Sequence, residues 1–525
     1  MLDFSECRLK PYQHQIEALQ KLLDHPFFFN ASEMGMGKTK VLIDAAQMLF
    51  QQNIIDRVVV VCPASVRSVW FDEELGELQK HLWLTVPNKI TLYHSKLHQW
   101  DFGPHSAVQL RWIITNYDFI RGRDESEKDN EWLQRLKAHC SQKTLLVLDE
   151  SSAIKNHKAK QTKACMTLRK ACGRIVIMNG TPIANNPGDM FSQGRILDPK
   201  ILDCKTWFHF RSRYGVMGGF MNKQIVKWVN LEDLQQRFAP YILRRLKTDC
   251  LDLPEKIPSV ALTVPLSEKT WEIYKNMRDE MVAWLSESTV SVASQAIVKA
   301  MRLAQVTSGF LGGIQDSDLE LEQEDLDEDR PDWLSGKSDP IPQKLPTSMV
   351  QEVGNEKLKL FLQWLKERID EDKNFKVLVW CRFRPELARL MGILRNDYPH
   401  ISIGEIRGGQ KKGEREIALR LLDPRTSPES PVVVAGTPAS GSMGLNLTAA
   451  HVVIYMSNDY SLKTRLQSED RVHRPGQIHP VSYYDIVATG PKGQKTIDHT
   501  IIKALREKNN IAEWTTRAWI SALQD

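Results

Sequence analysis

The residues most able to do chemistry begin with Glu33-Met34-Gly35-Met36-Gly37-Lys38-Thr39. An apolar run, Phe27-Phe28-Phe29, leads into them, and a helix-like run from Lys40 to Phe50 follows. A strand, a glycine turn and a helix start form a cradle for phosphates. The glycines let backbone N–H groups approach, and the helix N-terminus adds partial positive charge. Lys38 can then reach β- and γ-phosphates, and Thr39 can ligate Mg²⁺. Ser32 stands where the strict eight-residue pattern has its first glycine, so the stretch alone also reads as a glycine turn before an ordinary helix. A second candidate is Leu145-Leu146-Val147-Leu148-Asp149-Glu150, an apolar run ending in two adjacent carboxylates. Asp149 would hold Mg²⁺ through water, and Glu150 would orient and deprotonate an attacking water. A solvated acidic turn is the plainer reading, and the apolar run feeding the pair weighs against it. A third is Gln13 in Leu9-Lys10-Pro11-Tyr12-Gln13. Its amide donates and accepts, as the edge of adenine requires, although a solvated helix start would also place a glutamine there.

These residues need strands to present them. Arg57–Cys62, Trp112–Thr115, Leu145–Asp149 and Arg174–Met178 are short β-branched or apolar runs separated by helical patterns. Such spacing predicts βαβ units and a parallel sheet over residues 1–200. Residues 201–313 read as helical insertions. Within them, Trp207, Phe208, Phe210, Arg211, Arg213, Tyr214 and Trp228 interleave aromatic and basic side chains, which suits either nucleic acid or a small aromatic core. Residues 314–349 are acidic, then proline- and serine-rich, and predict a disordered linker. Lys376–Trp380, Pro431–Ala435 and Val452–Met456 predict a second parallel α/β lobe over 350–490, followed by a helical brace over 491–525 with a tail helix from Thr496 to Lys508. The fold class is therefore α/β.

The net charge of +5 hides an asymmetry: residues 316–332 carry −9, which leaves +14 for the remainder. A basic body fits phosphate-backbone binding. No run of about 18 apolar residues predicts a membrane span, and the N-terminus lacks an apolar signal core. The eight cysteines are scattered, with no Cys-x-x-Cys pair, and read as reduced thiols in a cytosol-like compartment. The composition fits a cytoplasmic bacterial or phage protein, a nuclear one if eukaryotic, or one subunit of a larger machine with a protein partner.

In order, the motifs resemble those of a SWI/SNF-type ATPase motor of helicase superfamily two. The series runs through 9–13, 33–39, 61–66, 114–118, 147–156, 178–187, Leu243-Arg244-Arg245-Leu246-Lys247, 376–383, 441–450 and Gln467-Ser468-Glu469-Asp470-Arg471-Val472-His473-Arg474. The last of these is also similar to the strand-annealing branch. The resemblance implies two RecA-like lobes closing on ATP and Mg²⁺. Glu33, Met34, Gly35, Met36, Gly37, Lys38, Thr39 and Lys40 would surround the nucleotide, with Gln13 at adenine. Arg471 and Arg474 would stabilise charge on the γ-phosphate from the second lobe. It places Ser65, Thr115, Thr181 and Asn446 near a DNA backbone, contacted without regard to sequence. Arg407, Lys411 and Lys412 would add phosphate contacts or form a solvated basic loop. Two positions depart from the family: Ser152 stands where a longer histidine or glutamine is usual, and Pro438-Ala439 precedes the glycine-rich motif. The expected activity is translocation on, or remodelling of, double-stranded DNA. An RNA-directed remodeller on the same motor, and an ATP-gated clamp or scaffold, are the competing readings.

Overall fold

The computed structural model describes residues 3–64, 66–72, 76–93, 108–122, 130–180, 187–218, 224–287, 293–312, 350–410, 412–438 and 446–509. The chain divides between Asp252 and Leu253 into two compact units.

Unit 1 is built on a seven-stranded sheet. Its strands are β1 (Phe27–Asn30), β2 (Arg57–Cys62), β3 (Asn88–Leu92), β4 (Leu110–Asn116), β5 (Thr144–Asp149) and β6 (Arg174–Met178). A two-stranded hairpin, β7 (Gly215–Gly218) and β8 (Gln224–Trp228), stands apart, and β9 (Ile242–Leu243) completes the main sheet. The order is β3-β4-β2-β5-β6-β1-β9, and every pairing is parallel. All residues of β2, β4 and β5 are buried, because helices cover both faces. The side-chain period of two sorts them. Val59, Val61, Leu146, Leu148, Ile175 and Ile177 enter one core; Val58, Val60, Leu145, Val147 and Val176 enter the other.

Unit 2 begins with β10 (Val260–Pro265), followed by a short pair, β11 (Phe310–Leu311) and β12 (Gln351–Glu352). Then come β13 (Lys376–Trp380), β14 (Ser402–Ile406), β15 (Val432–Gly436), β16 (Val452–Tyr455) and β17 (Ser482–Thr489). Its six-stranded sheet has the order β10-β17-β16-β13-β15-β14, again all parallel. Alternation again makes two cores, with Val377, Val379, Val433 and Ile454 on one face and Leu378, Trp380, Val434 and Val453 on the other.

The segment expected as separate helical insertions, 201–313, is shared between the units. Up to Asp252 it belongs to unit 1, where Phe210 and Tyr214 join the sheet core and Trp207 and Trp228 pack against it. This is the aromatic-core alternative: burial of large rings against Phe191 and Phe238 outweighs leaving them for a ligand. Phe208 alone of that set is well exposed, at 60%. From Leu253 onward the segment supplies the edge strand β10 and helices Glu268–Glu287 and Ala293–Thr307 to unit 2. The acidic segment 314–349 and the aromatic end, Trp514 and Trp519, lie outside the described residues; the tail helix is present over 497–509. Among the described residues no helix is long and apolar enough to cross a membrane.

Candidate nucleotide and nucleic-acid sites

In unit 1 the glycine stretch follows β1 as a loop and enters helix Lys38–Gln51. Gly35 and Gly37 have φ of +75° and +76°, the left-handed region that side chains disfavour. A Cβ on Gly37 would also stand 2.3 Å from Gln15 Nε2. The loop is gripped from both sides. On one, Gln15 donates to Met36 O at 3.2 Å, and His14 Nε2 lies 3.1 Å from the same oxygen. On the other, Ala31 N donates to Leu243 O, Glu33 N donates to Arg245 O, and Lys247 N donates to the Glu33 carboxylate at 2.8 Å. The buried Arg244 guanidinium donates to Ala31 O and, at 2.6 Å, to Gly180 O. Burial lowers its pKa to about 10, which leaves it charged at neutral pH. The Arg244-Arg245 segment is therefore a brace under the loop.

Lys38 Nζ donates to Ser32 O at 2.9 Å and to Glu33 O at 3.1 Å, so its ammonium lies over the loop's own carbonyls. The first N–H groups of a helix have no intrahelical partner, so the start of Lys38–Gln51 can serve phosphate oxygens. Lys40, expected beside the nucleotide, commits its ammonium to Asp44 at 2.5 Å, and Asp44 accepts from Trp83 Nε1. Gln13, expected at adenine, is exposed at the first residue of its helix, and it is Gln15, two residues on, that touches the loop.

The carboxylate pair sits at the carboxyl end of β5. Asp149 Oδ2 accepts from Trp70 Nε1 at 2.9 Å, and Oδ1 accepts from Glu150 N at 3.0 Å. Tyr117 OH donates to Asp149 O. Burial, and then the charge of Glu150, push the Asp149 pKa up to about 6, against the opposing effect of Trp70 and the nearby Lys38 cation. Lys38 and Asp149 thus interact electrostatically. A buried Asp149 with a second carboxylate beside it is what a divalent cation would relieve. No cluster of three or more His, Cys, Asp or Glu side chains that could hold a metal ion occurs among the described residues. Glu150 has φ +53°, an uncommon value for a non-glycine residue. Ser152 is buried, and its neighbour Ser151 donates from Oγ to Gln193 Oε1 at 2.6 Å. Neither Trp70 nor Gln193 carries a sequence signal, since each acts through a partner at least 42 residues away.

In unit 2, Arg471 and Arg474 follow helix Leu462–Glu469 and are partly exposed. Arg471 O accepts from Leu447 N, and Arg474 O accepts from Gln477 N. Their segment is anchored by a buried charge network. Arg465 pairs with Glu469 and Asp485, each at 2.5 Å, and lies 3.6 Å from the Tyr455 ring centroid. Lys256 pairs with Glu469 at 2.6 Å. Burial alone would raise the Glu469 pKa; the charges of Lys256 and Arg465 overcome it and hold the group down to about 2.

Glu386 has the opposite balance. It is buried on helix Arg384–Asp397 and accepts from Ser457 Oγ. Burial raises its pKa from 4.5 to about 7, against Lys357 and Ser457. The native state therefore keeps a proton that the unfolded chain releases across that window, so this contribution to stability is lost as pH rises. Glu386→Gln is expected to gain on the parent from pH 4.5 to about 7 by at most about 3 kcal/mol. Urea unfolding at about pH 5 and about pH 8 checks this; a difference that does not change with pH would refute it.

The expected nucleic-acid residues do not share one fate. Thr115 is 0% exposed, its hydroxyl without a hydrogen-bond partner among the described residues, so it offers no surface contact as it stands. Asn446 is partly exposed and accepts from Thr448 Oγ1. Arg407 pairs with Glu405 at 2.8 Å. Ser65, Thr181, Lys411, Ala439 and the glycines of 441–444 lie outside the described residues, as does the Lys412 side chain.

Comparison with known proteins places these elements in context. The SNF2-related domain family matches residues 29–309, and the helicase conserved C-terminal domain matches residues 356–476. The chain is 25% identical to Lymphoid-specific helicase of Homo sapiens, over 91% of this chain and 59% of that protein. It is 25% identical to DNA excision repair protein ERCC-6 of Mus musculus, over 90% of this chain and 30% of that one. It is 24% identical to TATA-binding protein-associated factor MOT1 of Saccharomyces cerevisiae, over 91% and 26%. The chain therefore spans from about a quarter to three fifths of the length of these relatives. Among solved structures, the Sulfolobus solfataricus SWI2/SNF2 ATPase core in complex with dsDNA shares 22% identity at a TM-score of 0.41, covering 100% of this chain and 98% of that one.

Proposed function

Because this chain belongs to the SNF2-related family, we propose that it is an ATP-hydrolysing motor that translocates along, or remodels, double-stranded DNA. The observation that carries the ATPase reading is the pairing, within unit 1, of a left-handed glycine loop that leads into helix Lys38–Gln51 with the buried Asp149 at the carboxyl end of β5, close enough to feel the Lys38 cation. Bound Mg²⁺ would neutralise that pair and the phosphates together. Gly35, Gly37 and the first N–H groups of helix Lys38–Gln51 would cradle the phosphates, Lys38 would pair with them, and Thr39 and Asp149 would hold the ion. Glu150 orients a water and takes its proton. By the family resemblance, Arg471 and Arg474 would supply positive charge to the nucleotide, which their double substitution by alanine tests.

Duplex DNA is the proposed polymer; a relative named for DNA excision repair supports it. Contacts mainly to phosphates would make binding salt-dependent and indifferent to sequence. The test is the ATPase rate of the full chain against single-stranded, duplex and forked DNA and RNA. Duplex is expected to stimulate hydrolysis, and equal rates with and without it would overturn the proposal. Greater stimulation by RNA would select the RNA-directed reading. Displacement of a third strand during ATP turnover separates a motor from a clamp, which would leave the triplex intact.

A further inference from the structure

Helices Lys160–Arg169 and Asp189–Leu197 of unit 1 help to line a cavity of about 230 Å³ that includes none of the residues assigned above to the nucleotide. Lys163, Met166, Thr167 and Lys170 are spaced i, i+3, i+4 and i+7, so one helical face forms a wall. Arg195 comes from the facing helix, its guanidinium 5.5 Å from the Phe191 ring centroid. His157, stacked on Trp207 at 5.2 Å, lies at another side. No carboxylate is among the lining residues, and neither lysine nor Arg195 has an ion-pair partner among the described residues.

Two hydroxyls point the same way. Thr162 and Ser192 belong to the cavity lining, with side chains on residues only 2% and 1% exposed. Their Oγ atoms are buried with no hydrogen-bond partner among the described residues. A buried hydroxyl without a partner is costly, and a χ1 rotation that turned it onto a ligand oxygen would remove that cost. Cations without ion-pair partners and donors in need of an acceptor, lining one cavity, are the chemistry of an oxyanion site.

We propose that this cavity binds a phosphate group, as a second site independent of the glycine loop. Lys163, Lys170 and Arg195 neutralise it, Thr162 and Ser192 donate to its oxygens, and Met166 and Phe191 receive the apolar part of the molecule that carries it. The carrier is a small phosphorylated molecule or a nucleic-acid backbone, and the experiment separates the two.

Inorganic pyrophosphate is titrated calorimetrically into the full chain carrying Lys38→Ala, so that the glycine loop does not contribute. One binding event is expected, weakened at least about tenfold by adding Lys163→Ala and Arg195→Ala. Thr162→Val should weaken it about threefold while raising the melting temperature, because the unmet hydroxyl is gone. A merely structural threonine would not move the two readouts in opposite directions. Duplex DNA is then titrated into the same variants. Pyrophosphate that binds without competing with duplex identifies a small-molecule phosphate; pyrophosphate that displaces duplex, with both lost in the variants, identifies the backbone. No pyrophosphate binding to the Lys38→Ala chain, or an affinity the cavity variants leave unchanged, overturns the proposal without touching the ATPase reading.

Discussion

Replacing Arg471 and Arg474 together by alanine is expected to cut ATP turnover by about 10³- to 10⁵-fold, or about 4–7 kcal/mol of barrier, while ATP still binds. The size follows from what positive charge contributes where the transferred phosphoryl group is most negative. Binding survives because the loop, Lys38 and the helix start all belong to unit 1. The substitution should leave unit 2 folded. The buried ion pairs that anchor the segment belong to Arg465, Glu469, Asp485 and Lys256, and circular dichroism of the variant checks that the fold is kept. Turnover at saturating ATP, alongside the affinity of a fluorescent nucleotide, separates chemistry from binding. Lysine at both positions should restore only part of the rate, because an ammonium keeps the charge but not the planar fork. Turnover within about threefold of the parent would show that these arginines do not reach the nucleotide.

Glu150→Gln is expected to slow hydrolysis by at least about 10²- to 10⁴-fold, because an amide cannot take the proton of the attacking water. Glutamine has the same length and meets the same φ of +53°, so backbone strain is unchanged. The effect on Asp149 makes the prediction sharper. Glu150's charge is the second cause of that group's raised pKa, so removing it should bring Asp149 down from about 6. The variant should therefore hold Mg²⁺ and ATP to a lower pH than the parent while failing to turn them over. Nucleotide affinity followed from about pH 5 to about pH 8 tests the first half, and single-turnover hydrolysis tests the second. A variant that hydrolyses normally would remove Glu150 from the mechanism.

The strands legible from sequence were those buried on both faces. β2, β5, β6 and β13 are continuous apolar runs because each is covered on two sides. β10, β14 and β17 have no such signature. β10 and β14 lie at sheet edges, and β10 alternates between exposed and half-buried residues. β17 carries the buried Asp485, whose partner Arg465 is 20 residues away. An acidic residue reads as surface until the cation that neutralises it is known.

The order of the motifs, the glycine loop with Lys38 and Thr39, and the strand that delivers Asp149 and Glu150 are determined by sequence alone. Their chemistry depends on near neighbours in the chain, and covalent connection sets that spacing. Folding decided which residues stand around them. It buried Arg244 between Ala31 and Gly180, brought Trp70 onto Asp149, turned Lys40 to Asp44, placed Gln15 against the loop, and enclosed Thr115. Each of these outcomes turns on burial and on partners distant in sequence. A polar side chain taken out of water must find a donor, an acceptor or an opposite charge, and only the packed chain shows where that partner lies.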